Sequence, residues 1–302
     1  MSDTKNPTPL GINDSIRGPR PSIEFWGCRG HSTDIVRLIG TFCLLFGSAQ
    51  PLFSTTLVIK LENDRILLAA DTRQERFNPG QTALVQGAGD DGRCKIRVLG
   101  QIGFAATGFL EYQANDPSKP SADWSAFADA SATFDKVGDN IRNVAAEWAQ
   151  RSASHFIALH AQAPERVKQM ASANPENLLQ IAFFAGWDRQ TPVLLMEIVS
   201  FDPKASPVIG TREIEQPLGD VAFSTNTITQ ELINGASSRA QKAGEEWDTK
   251  SEDLATSDLA WKHVEFYIKK TAAYDPGVST VVDVVSLPAG KPAAWLQKGA
   301  CF

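Results

Sequence analysis

The chain has 302 residues, of which 42% are hydrophobic and 21% are charged, and its formal net charge is −6. This length is enough for one large domain or two small ones. The sequence contains no block of lysine or arginine residues. The composition therefore gives no indication of a nucleic-acid surface, and we expect no nucleic-acid partner.

The segment 1–54 differs in composition from the remainder of the chain. Residues 1–35 are rich in Pro, Gly, Ser and Asp, which predicts a disordered or untranslated segment. Arg37, an apolar run at 38–46 and small residues then follow in the pattern of a signal peptide over 36–54. That run is too short to span a bilayer as a helix, so we expect no membrane contact in the mature form. The alternative is that residues 38–53 form a buried strand or helix.

The distance of this leader from Met1 suggests that translation starts internally, near Val36. Cleavage between Ala49 and Gln50 fits the small-residue rule better than cleavage between Ser54 and Thr55. A cleaved protein would be periplasmic or secreted, and a protein without the leader would be cytoplasmic.

Two cysteines, Cys94 and Cys301, would remain in the mature chain. An even pair in an exported protein permits one disulfide, and two unpaired buried thiols are the alternative. Their spacing matches no metal motif. We expect no metal and no cofactor, because no cysteine or carboxylate stands at ligand spacing from the dispersed histidines, which are His155, His160 and His263.

Apolar periodicity predicts a strand-rich first half of the domain. Strands are expected at 55–62 and 65–70, joined by a turn at Asn63-Asp64. Residues 74–93 predict a loop. The segment 95–107 predicts two short strands that turn at Gly100.

The pattern becomes helical from Trp124 to Met170, with one apolar stripe. A hairpin follows, with strands at 178–187 and 193–201, and then a short strand near 219–224. The remaining elements are two helices with apolar stripes (228–240 and 260–272), a strand at 279–287 and a polar tail. Strands and helices in this order predict a single α+β domain over 55–302, in which two packed sheets carry helices on their outer faces.

One stretch, TTLVIKLENDRILLAAD at 55–71, resembles the N-terminus of mature proteasome-type β subunits, the threonine-nucleophile branch of the N-terminal-nucleophile (Ntn) hydrolases. Looser matches follow in CKI at 94–96, AATG at 105–108, FFAGWD at 183–188 and the segment 268–287. The resemblance covers most of 55–290. It implies a four-layer αββα sandwich of two mainly antiparallel sheets flanked by helices.

The chemistry gives each matched position a role. Thr55 Oγ would attack an amide carbonyl, and its own α-amine, freed by cleavage, would act as the base. The resemblance assigns Lys95 to the cation that keeps this amine unprotonated, and Asp71 to the carboxylate that orients Lys95. Gly108, after a strand, suits a turn whose N–H groups stabilise an oxyanion.

Each of these positions also has an ordinary structural interpretation. A threonine pair favours a strand by β-propensity alone, and Asp71 fits a turn or a cap. Lys95 fits a solvated strand edge.

The chain departs from the family near its C-terminus. Where the family has a Gly/Ser-rich element before a helix, this chain has 224–227, in which Thr225 replaces the serine that helps to polarise the amine. In the family's Asp-x-x-Ser-Gly-Gly element, Asp275 fits, Ser279 comes one residue late and the glycine pair is missing. We therefore expect an altered hydroxyl network.

Three functions compete. The first is a threonine-type peptidase or amidohydrolase, acting on a peptide or small amide, whose nucleophile Thr55 is exposed by processing, either by the leader cleavage itself or by a second, autocatalytic cut. The second is a catalytically inactive structural or binding subunit, and the third is an exported amidase on small amides. The family assembles into rings, so a homo-oligomer is possible, but an exported relative lacks ATP-driven unfoldases, which favours a free-standing enzyme or a small oligomer.

Overall fold

A computed structural model of the protein describes residues 56–62, 64–73, 92–112, 124–172, 174–215, 223–235, 237–254 and 259–301. Several predictions made from the sequence lie outside these described residues, namely the leader, Thr55, Asn63 of the first turn and most of the 74–93 loop.

Twelve strands, six α-helices and one short 3-10 helix form within the described residues. In chain order they are β1 (Leu57–Leu61), β2 (Arg65–Asp71), β3 (Ile96–Leu99), β4 (Ile102–Gly108), β5 (Glu111–Tyr112), β6 (Trp124–Ser125), α1 (Ala126–Val137), α2 (Ile141–Gln162), α3 (Pro164–Ser172), the 3-10 helix (Pro175–Asn177), β7 (Leu178–Asp188), β8 (Thr191–Phe201), β9 (Ile209–Glu215), β10 (Phe223–Ser224), α4 (Thr227–Asn234), α5 (Ser238–Ser251), α6 (Leu259–Ala272), β11 (Val282–Pro288) and β12 (Ala294–Gln297).

The strands build two five-stranded antiparallel sheets. The first sheet has the order β10-β1-β2-β11-β12, and the second has the order β3-β4-β7-β8-β9. A small pairing of β5 with β6 stands beside them. The protein is therefore an α+β structure, as the order of the elements predicts.

The two sheets pack face to face because alternate side chains of their strands are apolar on the inner side. Leu57 and Ile59 of β1 share one buried cluster with Phe183 of β7 and Met196 of β8. Val58, between the first two, points to the other face of its sheet and joins a different cluster. The hydrophobic core between the sheets thus follows directly from the two-residue period of the sequence.

Helices cover the outer faces of both sheets. Trp148 of α2 is fully buried against Phe104 and Phe184 of the second sheet. On the first sheet, Ile268 of α6 packs with Val58 in a separate cluster. This arrangement is compatible with the predicted layered sandwich. None of the helices in the described part of the chain combines the length and apolar character that a bilayer crossing requires.

The structure corrects several predicted boundaries. The helical region predicted at 124–170 begins as strand β6 and continues as three helices. The first of these helices, α1, ends at Gly138, which has a φ of 81°. The helix predicted at 228–240 ends instead at Gly235, whose φ of 68° closes α4, and α5 starts after the Ser237 cap.

Two strands of the five-stranded sheets, β9 and β12, were not predicted from the sequence, and neither was the short pair β5 and β6. The strand β9 forms an edge of the second sheet and is mostly exposed, so its residues lack a clear apolar alternation. The tail predicted as polar contains β12, which pairs with β11 at the edge of the first sheet. Of the short strand expected near 219–224, the described residues show β10.

Candidate active site

Asp71, at the end of β2, is fully buried and its carboxylate accepts four hydrogen bonds. Its Oδ1 accepts from Lys95 Nζ at 3.0 Å and from the Thr56 N–H at 2.7 Å. Its Oδ2 accepts from the N–H groups of Arg73 at 3.0 Å and Ser279 at 3.3 Å. Four donors from four separate parts of the chain therefore converge on one carboxylate.

Lys95 lies immediately before β3, and its side chain is only 3% exposed. The interpretation of this residue as a solvated strand edge is therefore wrong. Its ammonium extends from the second sheet to the carboxylate of Asp71 on the first, so the ion pair bridges the two sheets.

Two opposing effects act on the ionisation of Asp71. Complete burial raises the pKa of the carboxyl, because a charge loses its hydration in the protein interior. The charge and hydrogen bond of Lys95 and the amides of Thr56 and Ser279 lower this pKa, and the effect of burial is the larger. The ammonium and the carboxylate therefore depend on each other, because either charge alone would be buried without compensation.

Thr225 contacts the start of β1. Its hydroxyl accepts a hydrogen bond from the Leu57 N–H at 2.9 Å, and its own N–H donates to the Leu57 carbonyl at 3.1 Å. Thr225 directly follows β10, which pairs with β1, so this contact extends the sheet by one residue. Thr225 thus lies beside Leu57, two residues after Thr55 in the sequence.

Asp275 and Ser279 lie at the two ends of a loop that contacts Asp71 through the backbone of Ser279. The Asp275 carboxylate accepts from the Asn226 side chain at 2.9 Å and from the Gly277 N–H at 2.9 Å. Ser279 Oγ accepts from the Val281 N–H at 3.0 Å. Asp275 therefore braces the loop against the cap of α4, while the backbone of Ser279 binds Asp71.

Gly108, the predicted oxyanion residue, ends β4 with a φ of 99°, a conformation that favours glycine. It is paired with Gln180 of β7. The conformation suits a tight turn, and the role in oxyanion binding stays a prediction.

Arg73 is a site residue that the sequence reasoning did not single out. Its N–H binds Asp71, and its Nη1 donates to the Pro276 carbonyl at 2.7 Å. The side chain thereby joins the end of β2 to the loop at 275–279. Its position two residues after Asp71 was the only signal in the sequence.

Cys94 and Cys301 form a disulfide, with 4.6 Å between their Cα atoms. The alternative of two unpaired thiols is therefore excluded in this structure. Within the described ranges, Cys94, Cys301 and Asp283 are the group whose ligand atoms lie close enough to hold a metal, within 4.8 Å of one another. With the two sulfurs bonded to each other, this group offers no thiolate ligand.

No protein-family model matches this chain, and a search of curated proteins finds no match. A functional assignment therefore depends on the residues and their geometry.

Proposed function

We propose that this protein is a threonine-type peptidase or amidohydrolase of the N-terminal-nucleophile class, with Thr55 as its nucleophile. The observation that carries the proposal is the buried pair of Asp71 and Lys95, which is hydrogen-bonded to the backbone of Thr56. Thr56 directly follows Thr55 in the chain, so the charged pair is coupled to the peptide group beside the proposed nucleophile.

The proposed reaction needs a base that is neutral at its working pH. Once the bond between Ser54 and Thr55 is cleaved, the α-amine of Thr55 accepts the hydroxyl proton while Oγ attacks the amide carbon. The proton then passes to the leaving amine, and an ester to Oγ remains. Water hydrolyses this ester, which releases the acid and restores the hydroxyl. The ammonium of Lys95 disfavours protonation of a nearby amine by charge repulsion.

The contacts of Thr56 support Thr55, and not Thr56, as the nucleophile. The Thr56 nitrogen donates to the Asp71 carboxylate at 2.7 Å, and the residue is completely buried. If cleavage made Thr56 the first residue, its amine would bind a carboxylate, which favours the protonated form that cannot act as a base.

The surrounding hydroxyl groups and the fold are consistent with this class. The Thr225 hydroxyl binds the backbone of β1 at Leu57, and the backbone N–H of Ser279 binds Asp71. We further propose that the two antiparallel sheets and their helices form the αββα sandwich of the Ntn hydrolases. The proposed substrates are peptides or small amides.

Mass spectrometry of the purified wild-type protein tests the first requirement, because an active enzyme must begin at Thr55. Turnover of a panel of fluorogenic peptide amides and simple amides tests the second. A correctly processed Thr55→Ala protein should lose turnover and stay folded, and Thr55→Ser should keep part of the activity because a hydroxyl remains. Activity in Thr55→Ala, or activity in a protein that begins upstream of Thr55, would overturn the proposal and favour a non-catalytic subunit or another nucleophile.

The same measurement separates two routes of processing. If the leader is removed after Ala49, residues 50–54 form a short propeptide that the enzyme itself must cleave. Thr55→Ala would then retain these five residues, whereas direct cleavage after Ser54 would remove them from both proteins.

A further inference from the structure

A covalent bond lies directly beside Lys95. Cys94, the residue before it, is joined to Cys301 near the end of the chain, 207 residues away in sequence. The strand β3, which Lys95 precedes, is at the edge of the second sheet and pairs with β4 alone. The disulfide therefore holds the lysine end of a short edge strand to another part of the fold.

The other half of the disulfide is held on the first sheet by Asp283. One oxygen of this fully buried carboxylate, Oδ1, accepts three consecutive backbone N–H groups, from Gly299 at 2.6 Å, Ala300 at 3.0 Å and Cys301 at 3.1 Å. Asp283 lies on β11, so the C-terminal segment is fixed to a central part of the first sheet.

The register of β11 places Asp283 one position away from the residue that pairs with Asp71. Asp283 is paired with Ala70, and the preceding residue, Val282, is paired with Asp71. The carboxylate that binds Lys95 and the carboxylate that holds Cys301 thus come from adjacent positions of two neighbouring strands. A continuous connection runs from Asp283 through Cys301 and Cys94 to Lys95.

We propose that Asp283 and the disulfide are positioning elements, which hold the Lys95 ammonium at Asp71 across the gap between the two sheets. The consequence for catalysis rests on the proposed function, whereas the positioning itself does not. The physical reason is the cost of a buried ammonium, which stays in the protein interior only while its carboxylate partner is within reach. A second tie, from the Arg93 N–H to the Thr72 carbonyl at 3.1 Å, acts on the same segment.

Reduction tests the covalent tie without changing side-chain volume. A dithiol supplies two electrons and two protons, so the cystine becomes two thiols and the reagent becomes a cyclic disulfide. We then measure acetylation of each lysine by a succinimidyl ester, with peptide mass spectrometry as the readout. Lys136, whose side chain is 60% exposed, is the internal control.

We expect reduction to raise the labelling rate of Lys95 by about tenfold or more through local opening, while the rate at Lys136 stays unchanged. A Cys94→Ala/Cys301→Ala protein should show the same increase in Lys95 labelling without the dithiol. Asp283→Asn, which keeps the acceptor oxygen and loses the charge, should give a smaller increase with the disulfide intact. Circular dichroism must show a folded protein in each case. Unchanged Lys95 labelling in both the reduced and the double-alanine protein would overturn the inference.

The activity measurement separates this inference from the proposed function. If both are correct, reduction should lower kcat and move the acid limb of the kcat/KM profile to higher pH, because the α-amine loses a nearby cation. A protein that is inactive in all forms, but whose Lys95 becomes reactive on reduction, would refute the proposed function and retain the positioning. If the enzyme is active and reduction changes neither its pH profile nor the labelling of Lys95, the positioning is refuted and the proposed function is retained.

Discussion

Replacement of Lys95 by methionine should destabilise the protein in a pH-dependent way. The change keeps much of the side-chain volume but leaves the carboxylate of Asp71 buried without its ammonium, which lies 3.0 Å away in the wild type. Breaking a buried ion pair on one side costs about 3–5 kcal/mol. We expect the lower end of this range, because the three backbone N–H donors to Asp71 remain and partly replace the lost interaction.

The pH dependence follows from the carboxyl group that remains. Burial already raises the pKa of Asp71, and loss of Lys95 removes two influences that lower it. The folded variant therefore holds a proton to higher pH than the unfolded chain does, so its stability is greatest at low pH and falls as the pH rises through the folded-state pKa. The gap to wild type should be about 3 kcal/mol at pH 8 and smaller by about 1 kcal/mol or more at pH 5.

Urea unfolding at both pH values, followed by tryptophan fluorescence, measures this gap. Lys136→Met is the matched control, because Lys136 forms an ion pair with Glu147 on the surface and its loss should cost less than about 1 kcal/mol. A gap below about 1 kcal/mol for Lys95→Met at pH 8, or an equal gap at pH 5 and pH 8, would refute the reasoning. In the proposed enzyme, the same variant should also lose on the order of 10²-fold in turnover, and Lys95→Arg should not restore it.

Two further predictions concern other buried polar groups. Thr225→Val removes the acceptor of the Leu57 N–H and should lower the free energy of unfolding by about 1–3 kcal/mol. Thr225→Ser keeps a hydroxyl and should stay close to wild type in the same urea titration. Equal free energies of unfolding for the two variants would contradict the assigned hydrogen bond. Glu197 is almost fully buried opposite Glu213, and burial, followed by the hydrogen bond and charge of that neighbour, raises its pKa to about 8. The free energy of unfolding of the wild type should therefore decline as the pH rises from about 5 through 8. Glu197→Gln should make this decline smaller in urea titrations at several pH values. If the decline is as steep in the variant as in the wild type, Glu197 is not its cause.

The elements predicted well from the sequence are those whose apolar residues are buried in the core. The strands β1 and β2 show this most clearly, since their alternate residues separate into the core between the sheets and the cluster under α6. The strands β9 and β12 lie at sheet edges, where most residues of β9 are exposed and most of β12 are half-buried, so apolar periodicity gives no signal for them. Their pairing partners, β8 and β11, decide their conformation.

The contact between Asp71 and Lys95 is predictable from the sequence, because Asp71 ends one strand and Lys95 directly precedes the next, and the resemblance described in the sequence analysis implies that the two interact. The anchor at Asp283 is not. It depends on the register between β11 and β2, and on three N–H groups of a C-terminal segment that appears merely polar in the sequence. The register between two strands is a tertiary property, which is fixed by the apolar residues that face the core. It cannot be read from a single sequence.

Ser279 contacts Asp71 in a way that does not depend on its side chain. In the sequence this serine stands one residue late and lacks its glycine pair, which predicts an altered hydroxyl network. In the structure its contact with Asp71 is made by the backbone N–H, a group that every residue except proline supplies. The Oγ instead accepts the Val281 N–H two residues on and shapes the turn into β11. The contact of Ser279 with Asp71 therefore depends on the path of the backbone and not on the identity of the side chain, whereas the buried charges of Asp71 and Lys95 have no substitute from the backbone.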